Sequence, residues 1–300
     1  MKSLKLHFES LLDDDDVFYN PENDKKEIEK WIRNNYNIVG KLTISDDFVV
    51  SSDRYVYVEN ENITSLTNGM FKWGKVGGHF CCNDCTKLKS LKGAPEEVGG
   101  DFDCSVCMNL KTLEGAPKNV GGGFSCRRCN KLTTLNGGPE KVRGYFYCNE
   151  CVNLTSLEGA PEKVDGNFRC NGCDKLTSLE GAPKNVGSDF WCDQCEGLET
   201  LEGAPEKVGG GFNCGECENL KSLNYSYGEI YGYFACNNCK NLKTLEGAPK
   251  EVGGNFSCTD CKNLKTLKGA PKKVGGNFEC RKCNNLKIID SDRKKYKIVD

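Results

Sequence analysis

The sequence predicts a mainly β solenoid of 22-residue coils, with one short parallel strand per coil and an N-terminal capping helix. The frame Phe-x-Cys-x-x-Cys-x-x-Leu-x-x-Leu recurs ten times, always at an interval of 22 residues. In each frame Phe and the first Cys lie two residues apart, which places both side chains on one face of a strand. A repeat of 20–50 residues is typical of solenoids. We number the coils 1 to 10 after their frame phenylalanines, Phe80, Phe102, Phe124, Phe146, Phe168, Phe190, Phe212, Phe234, Phe256 and Phe278.

Each coil has six apolar positions that we expect to point inward. In coil 9 they are Val252, Phe256, Cys258, Cys261, Leu264 and Leu267. One coil cannot bury six such side chains, but stacked coils bury them in a continuous core. Because proline cannot donate a ladder hydrogen bond, we expect the leg around Pro249 to lie outside the strand.

The chain before the repeats predicts a lead and a cap. Residues 1–22 are acidic, with four aspartates from Asp13 to Asp16, and we expect a partly disordered lead there. Residues 23–38 predict an amphipathic helix, because Asp24 and Glu27 have capping-box spacing and apolar residues recur on one face. We expect this helix to cap the stack.

Degenerate coils and a tail are predicted at the two ends of the regular repeats. Residues 39–76 predict degenerate capping coils, in which the frame reads Tyr55-x-Tyr57-x-x-Asn60-x-x-Ile63-x-x-Leu66 and both cysteines are replaced. The ten regular repeats span residues 77–290, and we expect the basic tail, residues 291–300, to close the other end. Atypical terminal repeats protect the open edges of a stack.

This frame resembles the leucine-rich repeat. Coil 9, Phe256-x-Cys258-x-x-Cys261-x-x-Leu264-x-x-Leu267, is similar to the family pattern Leu-x-Leu-x-x-Asn/Cys-x-(x)-Leu-x-x-Leu. The Gly-Ala-Pro-x-x-Val-Gly-Gly turns resemble repeat proteins of phages and gut bacteria over about residues 39–290. The resemblance implies a leucine-rich-repeat-like solenoid that acts as a protein-binding module or scaffold, and a phage is one origin that it suggests. A virion-associated or anti-host effector protein is an alternative with the same origin.

Composition argues against several classes of function. The net charge of −2 gives no basis for electrostatic binding of nucleic acid, and no run of 18 apolar residues predicts a membrane span. The N-terminus does not read as a signal peptide, so 21 cysteines favour a reducing, cytoplasmic compartment. With two histidines and no phosphate-binding loop, the sequence does not predict an enzyme.

The cysteines have two readings. Neighbouring coils satisfy the spacing of a four-cysteine zinc site, for example Cys104, Cys107, Cys126 and Cys129, which would make the protein a zinc-binding structural protein. Pairing ten coils into five sites should impose a 44-residue period, which is absent, and Tyr57 and Asn60 stand at the cysteine positions of the degenerate coil. Buried free thiols without a cofactor are therefore favoured. Zinc, an iron–sulfur cluster and disulfides remain alternatives.

The outward strand positions predict a protein-binding face, for a partner whose identity the sequence does not indicate. Tyr, Trp and Arg are enriched at interface hot spots, and they occur in consecutive coils here. The first candidate set is Tyr147, Arg169 and Trp191, flanked by Tyr145, Asp189, Arg127 and Arg128. The second candidate set is the irregular loop with Tyr225, Tyr227, Tyr231 and Tyr233. The alternative is ordinary solvated surface with scattered aromatic residues.

Overall fold

Two sheets run along the whole stack of coils. The computed structural model describes residues 21–225, 228–296 and 298–299, and within them the chain forms the predicted β-solenoid. Each regular coil contributes one strand to a 13-stranded sheet, which we call the Phe sheet, and one to a 12-stranded sheet, which we call the Val sheet. None of the helices among the described residues is long and apolar enough to cross a membrane.

The Phe sheet contains the strand that the sequence predicted. Its repeat strands are parallel and in register, so that each Phe pairs with the Phe of the next coil. Its strands, in spatial order, are Tyr36–Val39, Tyr55–Val58, Phe80–Cys81, Phe102–Asp103, Phe124–Ser125, Phe146–Tyr147, Phe168–Arg169, Phe190–Trp191, Phe212–Asn213, Phe234–Ala235, Phe256–Ser257, Phe278–Glu279 and Ile298–Val299.

The Val sheet is formed by a second strand in each coil, which the sequence pattern did not predict. From Glu97–Val98 onward each of its strands has only two residues, so no alternation marks it. The first residue is polar, and the second is a Val or Ile that is buried in every strand except the last, Lys273–Val274. The proline lies before this strand and takes no part in it. The strands, in spatial order, are Leu42–Ile44, Val49–Ser52, Lys72–Val76, Glu97–Val98, Asn119–Val120, Lys141–Val142, Lys163–Val164, Asn185–Val186, Lys207–Val208, Glu229–Ile230, Glu251–Val252 and Lys273–Val274.

The six inward positions form the core as predicted. The frame phenylalanines are fully buried, and neighbouring rings stack nearly parallel with centroids 4.9–5.5 Å apart. Val, both cysteines and both leucines of the inner coils are buried beside them. The same side chain therefore recurs in one column through the length of the stack.

The N-terminal helix ends earlier than predicted. It spans Pro21–Asn35, and the Asn35 amide donates to the Trp31 carbonyl at 2.8 Å in its last turn. Tyr36–Val39 is not helical but pairs antiparallel with Tyr55–Val58. The helix buries Ile28 and Ile32 against the first strands, so it caps this end of the core.

The prediction for the degenerate coil is wrong, because its strand is shifted by one residue relative to the predicted frame. Val56, and not Tyr55, pairs with Phe80, and Val56 is fully buried while Tyr55 is exposed. A shift of one residue turns every strand side chain to the other face. Tyr57 consequently points outward beside Cys81 and does not occupy a cysteine position, which removes one argument against zinc.

The C-terminal tail covers the end of the Phe sheet. A short helix, Asp290–Lys295, replaces the Gly-Ala-Pro turn, and Ile298–Val299 pairs parallel with Phe278–Glu279. Tyr296 stacks on Phe278 with centroids 4.6 Å apart, and its hydroxyl donates to the Pro271 carbonyl at 2.8 Å. The Phe column is thereby closed by an aromatic ring.

Candidate functional site

Tyr147, Arg169 and Trp191 form one stack on the outer surface of the Phe sheet. They are direct neighbours in consecutive strands of coils 4 to 6. The Arg169 guanidinium lies between the two rings, with Cζ 5.0 Å from the Tyr147 centroid and 4.1 Å from the Trp191 centroid. A guanidinium over an aromatic face is attracted by the ring quadrupole, so each ring helps to hold Arg169 in place.

Tyr145 extends this stack toward coil 3. Its ring stacks on Tyr147 with centroids 4.2 Å apart and lies against Gly123, where any Cβ would collide with it. Burial raises the pKa of Tyr145, and the carboxylates of Asp101 and Asp103 raise it further. The hydroxyl therefore stays protonated and faces these two aspartates.

Tyr233 lies at the other end of the stack. Its ring rests against Gly211 as Tyr145 rests against Gly123. Burial raises the pKa of Tyr233, and the charge of Asp189 raises it further. We call the five side chains of this surface the outward strip: Tyr145, Tyr147, Arg169, Trp191 and Tyr233.

A four-coil repetition underlies the outward strip, and the sequence analysis missed it. The residue before each frame Phe follows the order Asp, Gly, Tyr, Asn in coils 2–5 and again in coils 6–9. In both copies the aspartate accepts the N–H of the next glycine: Asp101 Oδ1 at 2.6 Å and Asp189 Oδ1 at 2.7 Å. The predicted flanking role of Asp189 thus has a structural basis. Comparing the residues before each Phe would have revealed this signal.

Three buried polar atoms of the outward strip and its neighbour have no hydrogen-bond partner among the described residues. They are Arg169 Nε, Trp191 Nε1 and Asp193 Oδ1. Burial raises the pKa of Asp193, which the sequence analysis also missed because it follows the frame cysteine Cys192. Leaving such atoms unpaired costs free energy.

Of the described tyrosines in the irregular loop, only Tyr233 belongs to the outward strip. Tyr225 is buried in the core, where its ring lies 5.0 Å from Phe212 and its hydroxyl donates to the Pro205 carbonyl at 2.6 Å. Its prediction as a binding residue is wrong, because the ring fills core space beside the Phe column. Tyr231 is exposed next to the Val sheet, where its hydroxyl contacts Glu229 at 3.1 Å. Tyr227 lies outside the described residues.

The two predicted flanking arginines lie on the Cys-x-x-Cys turn of coil 3. Both are exposed, and Arg128 has a left-handed backbone with φ of 58°. Its Nε binds Glu150 Oε2 of the next coil at 2.5 Å. Arg128 is therefore already engaged by a surface ion pair, while Arg127 adds positive charge next to the turn.

The cysteines form a ladder of thiol hydrogen bonds. From Cys107 to Cys283, the second cysteine of each coil donates to the carbonyl of the first cysteine in the preceding coil, at 3.1–3.3 Å. Thus Cys107 donates to Cys82 and Cys129 to Cys104, and these thiols are free and buried. Among the described residues, no three Cys, His, Asp or Glu side chains are arranged to hold a metal ion.

The outward strip is the feature on which a function must rest. Its aromatic rings and guanidinium are ordered by one another on a rigid sheet. No protein-family model, no curated protein and no solved structure matches the chain. Its function therefore has to be argued from the strip itself.

Proposed function

We propose that this protein is a non-catalytic binding module, and that a protein partner docks on the outward strip. The observation that carries the proposal is the continuous stack of Tyr145, Tyr147, Arg169 and Trp191 on three neighbouring coils. These residue types dominate the energetics of protein interfaces. The frame supplies the scaffold, and the outward positions supply the specificity.

The strip is ordered before a partner arrives. Its side chains stand on strands about 4.8 Å apart, and the Arg169 guanidinium is held between two rings. Ordering a long side chain costs about 0.5–1.5 kcal/mol on association. A side chain that is already held loses less freedom, so the stack favours tight docking.

The composition of the strip also fits a protein partner. Aromatic side chains and arginine are enriched at the centre of interfaces. Four of the five side chains of the strip are aromatic, and the fifth is an arginine.

The experiment is capture of a partner from a lysate of the native host, with the R169A/W191A variant and a matched control. The control E279A/R281A changes the residue of coil 10 that is equivalent to Arg169 and Trp191, together with one turn residue, away from the strip. We expect the control to capture the same partner as the unmodified protein and R169A/W191A to lose it, with both variants folded by circular dichroism. Undiminished capture by folded R169A/W191A would remove the strip as the binding site.

The thiols support a reducing compartment such as the cytoplasm. No disulfide joins the cysteines in the described part of the chain, and only Cys81 and Cys283 among them are not buried. Oxidising compartments favour disulfides in cysteine-rich chains. We therefore place the module where its thiols stay reduced.

A further inference from the structure

The C-terminal end of the stack is incompletely covered. The Phe sheet is extended by Ile298–Val299, whereas the Val sheet ends at Lys273–Val274. Val274 and Leu286 of this end are half-buried, while the equivalent residues of coils 2–9 are at most 4% exposed. Ile289 is 60% exposed beside them. Apolar side chains are therefore left accessible at this end.

A groove with an apolar floor and a basic rim lies at the same end. It has a volume of about 510 Å³ between the last Gly-Ala-Pro turn and the helix Asp290–Lys295. Leu267, Ala270, Ile289 and Tyr296 supply its apolar surface. Lys265, Lys268, Lys287 and Lys295 also line it, against the single carboxylate of Asp292.

The basic rim is not neutralised within the described part of the chain. Lys265 and Lys287 take part in none of the ion pairs there, and the Lys295 ammonium contacts only the Tyr296 hydroxyl and ring. Lys268 binds Glu246 at 2.8 Å. The groove thus combines uncovered apolar surface with surplus positive charge, which fits an occupant that is both apolar and acidic.

The chain itself contains a segment of that composition. Residues 11–19 read Leu-Leu-Asp-Asp-Asp-Asp-Val-Phe-Tyr, with four consecutive aspartates between apolar residues. We propose that this segment of a second copy of the chain occupies the groove, with Asp13–Asp16 against the lysines and the flanking apolar residues against Leu267 and Ile289. Charge and apolar character are complementary on both sides.

The segment before the helix is too short to reach the groove of its own chain, so the occupant comes from another copy. Asp16 precedes the helix at Pro21 by five residues, which span at most about 18 Å when fully extended. Lys25 anchors the start of this helix at the N-terminal end through Asp46, at 2.6 Å. Ten strand steps of about 4.8 Å separate Tyr55–Val58 from Phe278–Glu279, a distance of about 48 Å. The acidic run cannot reach the groove of its own chain.

The contact therefore joins the two ends of different copies. Each copy offers one acidic segment at its N-terminal end and one groove at its C-terminal end, so the interface is heterologous and every added copy exposes a new groove. Such an interface produces open chains rather than closed dimers unless a rotation closes a ring. The coils of successive copies would then follow one another along one axis.

Sedimentation velocity of the full chain over a concentration series tests this proposal. We expect the unmodified protein to shift from monomer to trimers and longer chains as concentration rises, and to return toward monomer in high salt because screening weakens the contact. The variants D13K/D14K/D15K/D16K and K265E/K287E should each remain monomeric. The matched control K89E/K111E changes the equivalent lysines of coils 1 and 2 and should assemble like the unmodified protein.

Mixing the two charge-reversed variants separates specific docking from a folding defect. The acidic segment of K265E/K287E still fits the lysine groove of D13K/D14K/D15K/D16K, and the reversed pair is complementary as well, so the mixture should assemble. An unmodified protein that stays monomeric at all concentrations, or a mixture that stays monomeric, would overturn the proposal. Assembly that is unchanged in D13K/D14K/D15K/D16K would overturn it equally.

This inference is independent of the outward strip. R169A/W191A should assemble like the unmodified protein, because both residues lie in the inner coils. Loss of partner capture with intact assembly, or the reverse, therefore shows which of the two proposals fails.

Discussion

At the scale of single residues, two adjacent residues of one strand have different roles, since one packs in the core and the next lies on the proposed recognition surface. Phe168 is fully buried between the rings of Phe146 and Phe190, each 5.3 Å away, whereas the adjacent Arg169 belongs to the outward strip. Successive strand residues point to opposite faces. Every coil therefore carries one invariant ring in the core and one variable residue outside.

Replacing Phe168 by Ala should destabilise the protein strongly. A buried ring in a continuous column leaves a cavity, so we expect a loss of roughly 3–5 kcal/mol in the free energy of unfolding, measured by urea denaturation. The Tyr147→Ala control removes a half-buried ring with one stacking and one cation–π contact, and should cost only about 1–2 kcal/mol. Equal losses for the two variants would contradict the assignment of inward and outward faces.

Residues of the regular frame could be predicted from the sequence, and those of the irregular turn could not. The inward Phe, Cys and Leu positions followed from the period and from alternation alone. Tyr225 was predicted to bind a partner because four tyrosines gather within nine residues here, in place of the proline turn. Its ring instead enters the core beside Phe212, a choice that depends on the space left by the missing Ala-Pro and not on local pattern.

At the scale of elements, each coil is held by strands too short to be stable alone. Repeat strands of two residues gain stability only from the coils on either side, and the thiol ladder adds a third line of contacts between coils. Thiols are weak donors, but buried carbonyls need partners. The second cysteine of each frame thus supplies a hydrogen bond between coils as well as apolar volume.

Stability should fall as the pH rises above about 9. Burial raises the pKa of Cys170, Cys192 and Cys217 above the ordinary 9.0, to about 12 for Cys217. Hydrogen bonds from neighbouring thiols lower the pKa of Cys261 and Cys283 instead. Below pH 9 both folded and unfolded states hold the protons of the first three thiols, so stability is unaffected by them. Above pH 9 the unfolded chain releases them first, which favours unfolding by about 1.4 kcal/mol per pH unit for each such thiol.

Urea denaturation between pH 8 and pH 10 measures this dependence. A variant with Ala at Cys170, Cys192, Cys195 and Cys214, whose pKa values burial raises, is the control and should show a shallower slope of stability with pH. If the cysteines bound zinc, their pKa values would be lowered, and stability would hold above pH 9 but fall with acid or a chelator. That outcome would contradict the thiol ladder.

Two features of the secondary structure could not be predicted from the sequence pattern. The Val strand shows too little alternation to be recognised, and the second residue between the cysteines is left-handed in every regular coil although only Gly172 is glycine there. Asp84 and Val106, for example, have φ of 59° and 61°. Such different side chains share a conformation because the neighbouring turns impose it, which no local pattern records.

At the scale of the whole molecule, the solenoid separates stability from specificity. The column of rings, thiols and leucines repeats with one period of 22 residues, while the Asp-Gly-Tyr-Asn order repeats over four coils. Equivalent positions four coils apart lie about 19 Å from each other at 4.8 Å per coil. The surface can therefore change without any change in the core that supports it.

The most direct test of this separation gives the outward strip the side chains of coil 9, where Asn255 and Ser257 hold the equivalent positions. The variant Y145N/Y147S/R169S/W191S/Y233N keeps every inward residue of the frame. We expect an unchanged far-UV circular dichroism spectrum, cooperative thermal unfolding and no partner capture. Undiminished capture would contradict the strip as the recognition surface, and an unfolded variant would contradict the claim that the inward frame alone maintains the solenoid.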